Sequence, residues 1–346
     1  MCNLDIPEGA EGSNGVRRSL WNTGRDQPNW VYMAFFSMNC RNYRQRMPRP
    51  GFLLVLSGLL SALPLPARPP SLHQVPTPGQ EVPRAELFHH VITNQEEGET
   101  NLDQFERVQR VESRKTAGDR DPAEVKVWRI FPTGTGVDRI PLSPDGKLPA
   151  PQTYLSNLEK LEKYLVWVIQ EGAAQKEAYA KADRRRKDRF DLIDATQQAF
   201  IFTPEGTETR ASRTLLRYSM VPNPEYRPTS RLTTLFPKVR GTVWIDQQTS
   251  QLAKIEGVIT GDVSLALFLA KVYKGSHFMQ ERYEVAPGIW EPTFEQYDFD
   301  GRKYLIPFSI HERTFYSSYK RVGLPKEALG VVRAELGKVH AEAGTP

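Results

Sequence analysis

Between residues 199 and 319 one segment after another alternates apolar with polar residues, and only short turns separate them. The segments are 199–204, 209–222, 238–246, 251–259, 277–286, 289–299 and 302–319. Successive side chains of a strand point to opposite faces, so each segment can bury one side and wet the other. Strands that follow one another with no room for a crossover helix pair antiparallel, as a meander. Ala286–Gly288 and the run Asp298, Phe299, Asp300, Gly301 read as the clearest turns. One interruption, VSLALFLAKVYKG at 263–275, reads as an apolar helix closed by Gly275.

The hairpin written RGTVWIDQQTSQLAKIEGVIT (240–260) shows the pattern best. Val239, Gly241, Val243 and Ile245 share one face, opposite Arg240, Thr242, Trp244 and Asp246. Across the turn Ala253, Ile255, Gly257 and Ile259 face the same way. Tyr304, Ile306, Phe308 and Ile310 repeat the arrangement, and Trp290, Pro292 and Phe294 fall together on a neighbouring strand. Such a sheet has to cover its apolar face with something.

The supply of cover is small. Residues 83–95 open with Pro83 and place Leu87, Val91 and Ile92 on one side, as a short amphipathic helix does. An early hairpin pairs 105–115 with 124–131, and a loop or irregular strand follows. One long helix is then expected from Gln152 to Arg189. Leu155, Leu158, Leu161, Leu165 and Val168 give its first half an apolar stripe, while its second half is almost wholly polar and is expected to stand out from the body. The cations in RRRKDR (184–189) read as a solvated helix end near its negative pole, or as a surface for an envelope partner along 170–189.

The segment MPRPGFLLVLSGLLSALPLPA (47–67) has arginines before an apolar run from Phe52 to Leu63, prolines after it, and Ala67 as a cleavage point. The run is shorter than the roughly 20 residues a bilayer span needs, so it reads as a secretory signal. Residues 1–46 then form a leader with Met47 as the true start, 68–82 a Pro-rich linker, 83–322 the folded domain with a helical insertion at 152–189, and 323–346 a C-terminal helix or tail. Cys2 and Cys40 both precede the expected cut, which leaves an exported chain with no disulfide and no thiolate metal site. Seven of the 46 basic and four of the 41 acidic residues also precede it, leaving 39 against 37. The net charge of +5 is therefore no argument for nucleic acid or an anionic surface.

Signatures of catalysis are missing. His89 and His90 are neighbours on a helix and diverge, and no HExxH spacing occurs. His311 and Glu312 point to opposite sides of a strand. The TGTG at 133–136 lacks the lysine of a phosphate loop, Asp298 and Asp300 lack the further ligands of a calcium loop, and no GxSxG is present. No catalytic residue, metal site or cofactor is expected.

The order of elements and two local patterns carry a family resemblance. GTVWID with LAKIE (Gly241–Asp246 and Leu252–Glu256), followed by GIWEP (Gly288–Pro292), resembles the outer-membrane lipoprotein-sorting (LolA-like) family across about residues 83–320. That resemblance implies an α+β fold: a curved antiparallel meander, half-open as a barrel, under covering helices, here with one long charged helix besides. It implies a periplasmic, non-enzymatic carrier or chaperone, with a lipid or acylated protein as partner on the concave face. Val243, Ile245, Ile255, Phe278, Phe294, Ile306, Phe308 and Ile310 are the expected lining. Two other readings stay open: an envelope scaffold with a filled core, and an exported hydrolase with dispersed carboxylates.

Overall fold

The computed structural model describes residues 84–343, apart from 231–232 and 266–269. The leader, export signal and linker expected for residues 1–82, with Cys2 and Cys40, lie outside the described residues. In chain order come α1 (Arg84–Asn101), β1 (Phe105–Arg114), β2 (Glu124–Pro132), β3 (Val137–Leu142), α2 (Pro151–Val168) and α3 (Ala173–Ala199). Then follow β4 (Phe200–Arg210), β5 (Arg213–Pro222), β6 (Val239–Asp246), β7 (Leu252–Ile259), β8 (Val263–Leu265), β9 (Ala270–Val272), β10 (His277–Ala286), β11 (Ile289–Lys303), β12 (Ile306–Arg321) and α4 (Pro325–Ala343).

The fold is α+β, built on one open antiparallel sheet in the order β3-β2-β1-β12-β11-β10-β7-β6-β5-β4, with β9 on β11 and β8 on β9. The last strand of the meander turns back to pair with the first of the chain, Gln109 opposite Tyr316. Strands β3 and β4 are left as the two edges.

The sheet buries both faces, with different helices on each. On the inner face Leu87, Phe88 and Val91 of α1 and Leu192 of α3 pack on Val243, Ile245, Ile255 and Phe278. On the outer face, at the opposite end of the strand order, the stripe Tyr154, Leu158, Leu161, Leu165 and Val168 of α2 meets Ala328, Leu329, Val332 and Leu336 of α4 over Phe131 and Ile140. Arg129 ties this second core to the sheet. Its guanidinium reaches Glu106 of β1, donates to Glu335 of α4 at 2.8 Å, and lies against Tyr154 of α2. A buried cation with carboxylates from two elements fixes where the helices sit, because an unpaired charge there would be costly.

Several local expectations are corrected. The single helix expected from 152 to 189 is two, because the apolar spacing stops at Val168 and Gly172 separates α2 from α3. The charged half does not stand out. From Gly172 the helix passes the β2–β3 loop, where Arg185 donates to the carbonyl of Thr135 at 2.7 Å. It then docks on α1 and the turn after it through Arg186–Asp103 at 2.7 Å and Arg189–Glu99 at 2.8 Å. At 1.5 Å per residue its 27 residues are about 40 Å long, enough to run from the β3 edge to the start of β4. Cations that read as a free surface are thus largely fasteners of a strut across the open side of the sheet.

Residues 263–275 are not a helix. Val263–Leu265 and Ala270–Val272 pair as strands, and Val263, Ala270 and Val272 add to the inner core. The expected strand 209–222 turns near its start: Ala211 and Ser212 both have positive φ (44° and 65°), the backbone of a two-residue type I′ hairpin. The Asp298–Gly301 run lies inside β11, and the turn comes at Tyr304, where φ is 56°. Gly301 answers to crowding instead: a β-carbon there would come within 2.2 Å of the Lys271 carbonyl oxygen.

Candidate functional site: an apolar cavity under α1

Where α1 and the end of α3 lie over β4, β5, β6, β7 and β10, the inner face leaves a space. It is walled by Phe88, Val91 and Ile92 from α1, Ile193 from α3, and Met220, Val239, Val243, Ile245, Leu252, Ile255 and Phe278 from the sheet. The enclosed volume is about 60 Å³, inside a pocket of about 690 Å³ that includes its mouth. The smaller figure decides what fits as the chain stands. An apolar cavity of roughly 150 Å³ takes benzene, so only a few methylene-sized groups find room here without movement of a wall.

Two glycines shape the sheet beside the cavity. Gly241 and Gly257 face each other in the β6–β7 register, and neither fills the inner face with a side chain. The Phe278 ring lies across Gly257, where a β-carbon would come within 2.6 Å of it. The opposite wall is the movable kind: α1 is one helix, with Phe88 stacked on Phe202 at 4.1 Å and edge-on to Tyr218 at 5.3 Å. Polar ties add to the packing of Leu87 and Val91. Asn94 donates to the carbonyls of Thr249 and Ser250 at 3.0 Å, and Glu99 meets Arg189.

Of the residues expected from the sequence to line the face, the structure brings Val243, Ile245, Ile255 and Phe278 together on this cavity. Ile310 is buried in the same core and Phe308 packs against it, but neither reaches the space. Ile306 sits at the tip of β12 and is 71% exposed. Phe294 faces the other way: Tyr297 and Phe299 point into the inner core, alternation along β11 from them puts Phe294 on the outer face, and its ring lies tilted against Phe315, itself 38% exposed. Sequence reading missed Gln95. It lies on α1 one turn beyond Val91 and Ile92, is 4% exposed, and lines the cavity; helical spacing was the available signal.

Beyond the cavity the inner face turns polar. Gln280 donates to Glu295 at 2.9 Å, Tyr316 donates to the other Glu295 oxygen at 3.0 Å, and Gln109 to Tyr316 at 3.3 Å. Glu291 is fully buried with Arg282 at 3.7 Å. Burial outweighs that cation, and the nearby charges of Glu99 and Asp103 add to it, so the Glu291 carboxyl is pushed up to about 8.

Another cluster lies on the outer face. His311 Nδ1 is 3.0 Å from Asp298 Oδ1, and His277 Nε2 is 3.3 Å from Asp298 Oδ2. The other His311 nitrogen faces Asp300 at 3.8 Å, while Ser309 donates to that Asp300 at 2.6 Å. The hydroxyl thus goes to a carboxylate and not to the imidazole, so no activated serine results. Among the described residues no group of three or more His, Cys, Asp or Glu side chains is placed to hold a metal ion, and no helix is long and apolar enough to cross a membrane.

No protein-family model and no curated protein matches the chain. Among solved structures it is similar to a LolA superfamily protein from Nitrosomonas europaea, at 12% identity over 72% of this chain and 98% of that one, with a TM-score of 0.30. It is also similar to a DUF1329 family protein from Desulfovibrio piger, at 11% identity over 68% and 91%, TM-score 0.24. A third is described as an outer membrane lipoprotein-sorting protein domain from Vibrio parahaemolyticus, at 9% identity over 71% and 99%, TM-score 0.24.

Proposed function

We propose that this protein is an exported carrier or chaperone that shelters the acyl chain of a lipid or lipidated protein between α1 and the inner face of the sheet. One observation carries the reading: an apolar space between the inner face of the sheet and the helices α1 and α3 that cover it. Water in such a space finds too few hydrogen-bond partners, and an alkyl chain gains about 25 cal/mol per Å² of apolar area it removes from solvent.

Because the enclosed space is small, a longer chain enters only as α1 moves outward. Lifting α1 would expose Leu87, Phe88, Val91 and Ile92, at about 1.5–3 kcal/mol for each side chain fully uncovered. A guest that takes their place against Val243, Ile255 and Phe278 restores most of that burial, so opening and loading are one coupled step. The export signal read in residues 47–67 would deliver the carrier to the periplasm, and binding of this kind needs neither cofactor nor metal.

Displacement of a fluorescent fatty acid tests the site. Ile255→Trp fills the space and should weaken binding more than tenfold, whereas Phe294→Ala, on the outer face, should leave it as in the native protein. Equal affinity of native protein and Ile255→Trp would remove the cavity from the account.

A further inference from the structure

The inner face changes character along one line. On β10 Phe278 is followed on the same side by Gln280 and then Arg282; on β11 Phe299 and Tyr297 give way to Glu295; on β12 Ile310 gives way to Glu312. These residues are all at most 8% exposed, and the paired ones lie side by side: Phe278 opposite Tyr297, Gln280 opposite Glu295, Tyr297 opposite Glu312. The covering helix changes at its own turn from Ile92 to Gln95. An apolar half and a polar half therefore meet across three strands and the helix above them.

Gln95 stands at that meeting, inside the cavity wall, and its Nε2 is buried with no acceptor in reach. Its neighbours in the wall do not share this condition: Thr196 donates to the carbonyl of Ile193 at 2.6 Å, and Gln197 is exposed. A buried amide donor left alone costs about 1–3 kcal/mol, so it marks a place where an acceptor belongs. The space it looks into is otherwise walled by hydrocarbon, which offers a water too few partners.

We infer that the guest is an amphiphile whose neutral ester or amide carbonyl accepts a hydrogen bond from Gln95 Nε2 while its alkyl chain lies against Val243, Ile255 and Phe278. This rests on the carrier reading and names the end of the guest that the cavity selects. A neutral head fits better than an anion, because none of the described residues lining the cavity is cationic and its polar members are Gln95, Thr196 and Gln197. A negative charge desolvated there without a cation to match it is unfavourable.

The test compares two eleven-carbon probes, methyl decanoate and undecane, each displacing N-phenyl-1-naphthylamine from the native protein and from Gln95→Leu. Comparing the ratio of the two affinities between proteins cancels each probe's own solubility in water. Leucine removes the donor and offers a more apolar wall, so undecane should tighten and the ester weaken, and the ester-to-hydrocarbon ratio should fall about five- to tenfold. An unchanged ratio, with both probes still bound, overturns the carbonyl assignment and leaves the carrier reading standing. Failure of both probes to bind the native protein overturns both readings, and undecane binding without methyl decanoate overturns the carbonyl assignment alone. Gln95→Asn, which keeps an amide on a shorter stem, should keep part of the ratio, whereas a purely structural Gln95 would give two variants with the native ratio.

Discussion

Glu291→Gln is expected to raise stability at pH 8 by several kcal/mol and to flatten its dependence on pH. The folded chain holds the Glu291 proton up to about pH 8, against an ordinary carboxyl value of 4.5. Between those values the folded state binds more protons than the unfolded state, so stability falls as pH rises through the window. A displacement of that size, from 4.5 to about 8, corresponds to roughly 5 kcal/mol at most. Glutamine resembles the protonated acid in shape and cannot ionise. Urea denaturation at pH 5 and pH 8 should show the native protein losing several kcal/mol between the two and the variant losing much less. Curves for the two proteins that run parallel across that range would show that Glu291 is already ionised in the fold.

Gly241→Ala is expected to cost about 3 kcal/mol or to prevent folding, for a different reason. A β-carbon at Gly241 would lie 2.0 Å from the carbonyl oxygen of Glu256 and 2.9 Å from Cα of Gly257. Both obstacles are backbone, so no rotamer change relieves the overlap and strands β6 and β7 must part, at the upper end of what overpacking costs. The same substitution at Gly330 of α4, where nothing lies within 4 Å, should be neutral or stabilising by up to about 1 kcal/mol. Urea midpoints that place Gly241→Ala beside the native protein would show that the two strands are not this close.

The two glycines also explain how far the sequence could be read. Alternation placed Val243, Ile245 and Ile255 on one face correctly because β6 and β7 pair in register from Val239 to Trp244. It did not settle Phe294, because the pattern of β11 does not say which face turns inward: Tyr297 and Phe299 take the inner core, and alternation from them leaves Phe294 outside. Glycine in Asp298–Gly301 suggested a turn, yet Gly301 serves the close approach of β9, while the actual turns at Ala211–Ser212 and Tyr304 contain no glycine, asparagine or proline to announce them. Residues 263–275 read as a helix because they are apolar on both sides; short strands packed into a core look the same. The stripe of α2 was legible down to Val168, and residues 323–346 read as a C-terminal helix or tail, but the pairing of α4 with α2 was not legible, since contact between helices distant in the chain is set by the tertiary fold. Gln95 escaped notice because a glutamine on a helix is ordinary until its surroundings are known.

The claim on which the account turns is that the space beneath α1 exists to hold a guest. Mass spectrometry of an organic extract from the purified protein, expressed with its export segment and collected from the periplasm, puts that to the most direct test. Native protein should yield an acyl lipid in near-equimolar amount, strongly depleted from Ile255→Trp. An extract free of acyl lipid from native protein that also fails to bind an added fluorescent fatty acid would contradict it, and would leave the cavity as a packing defect of a filled scaffold.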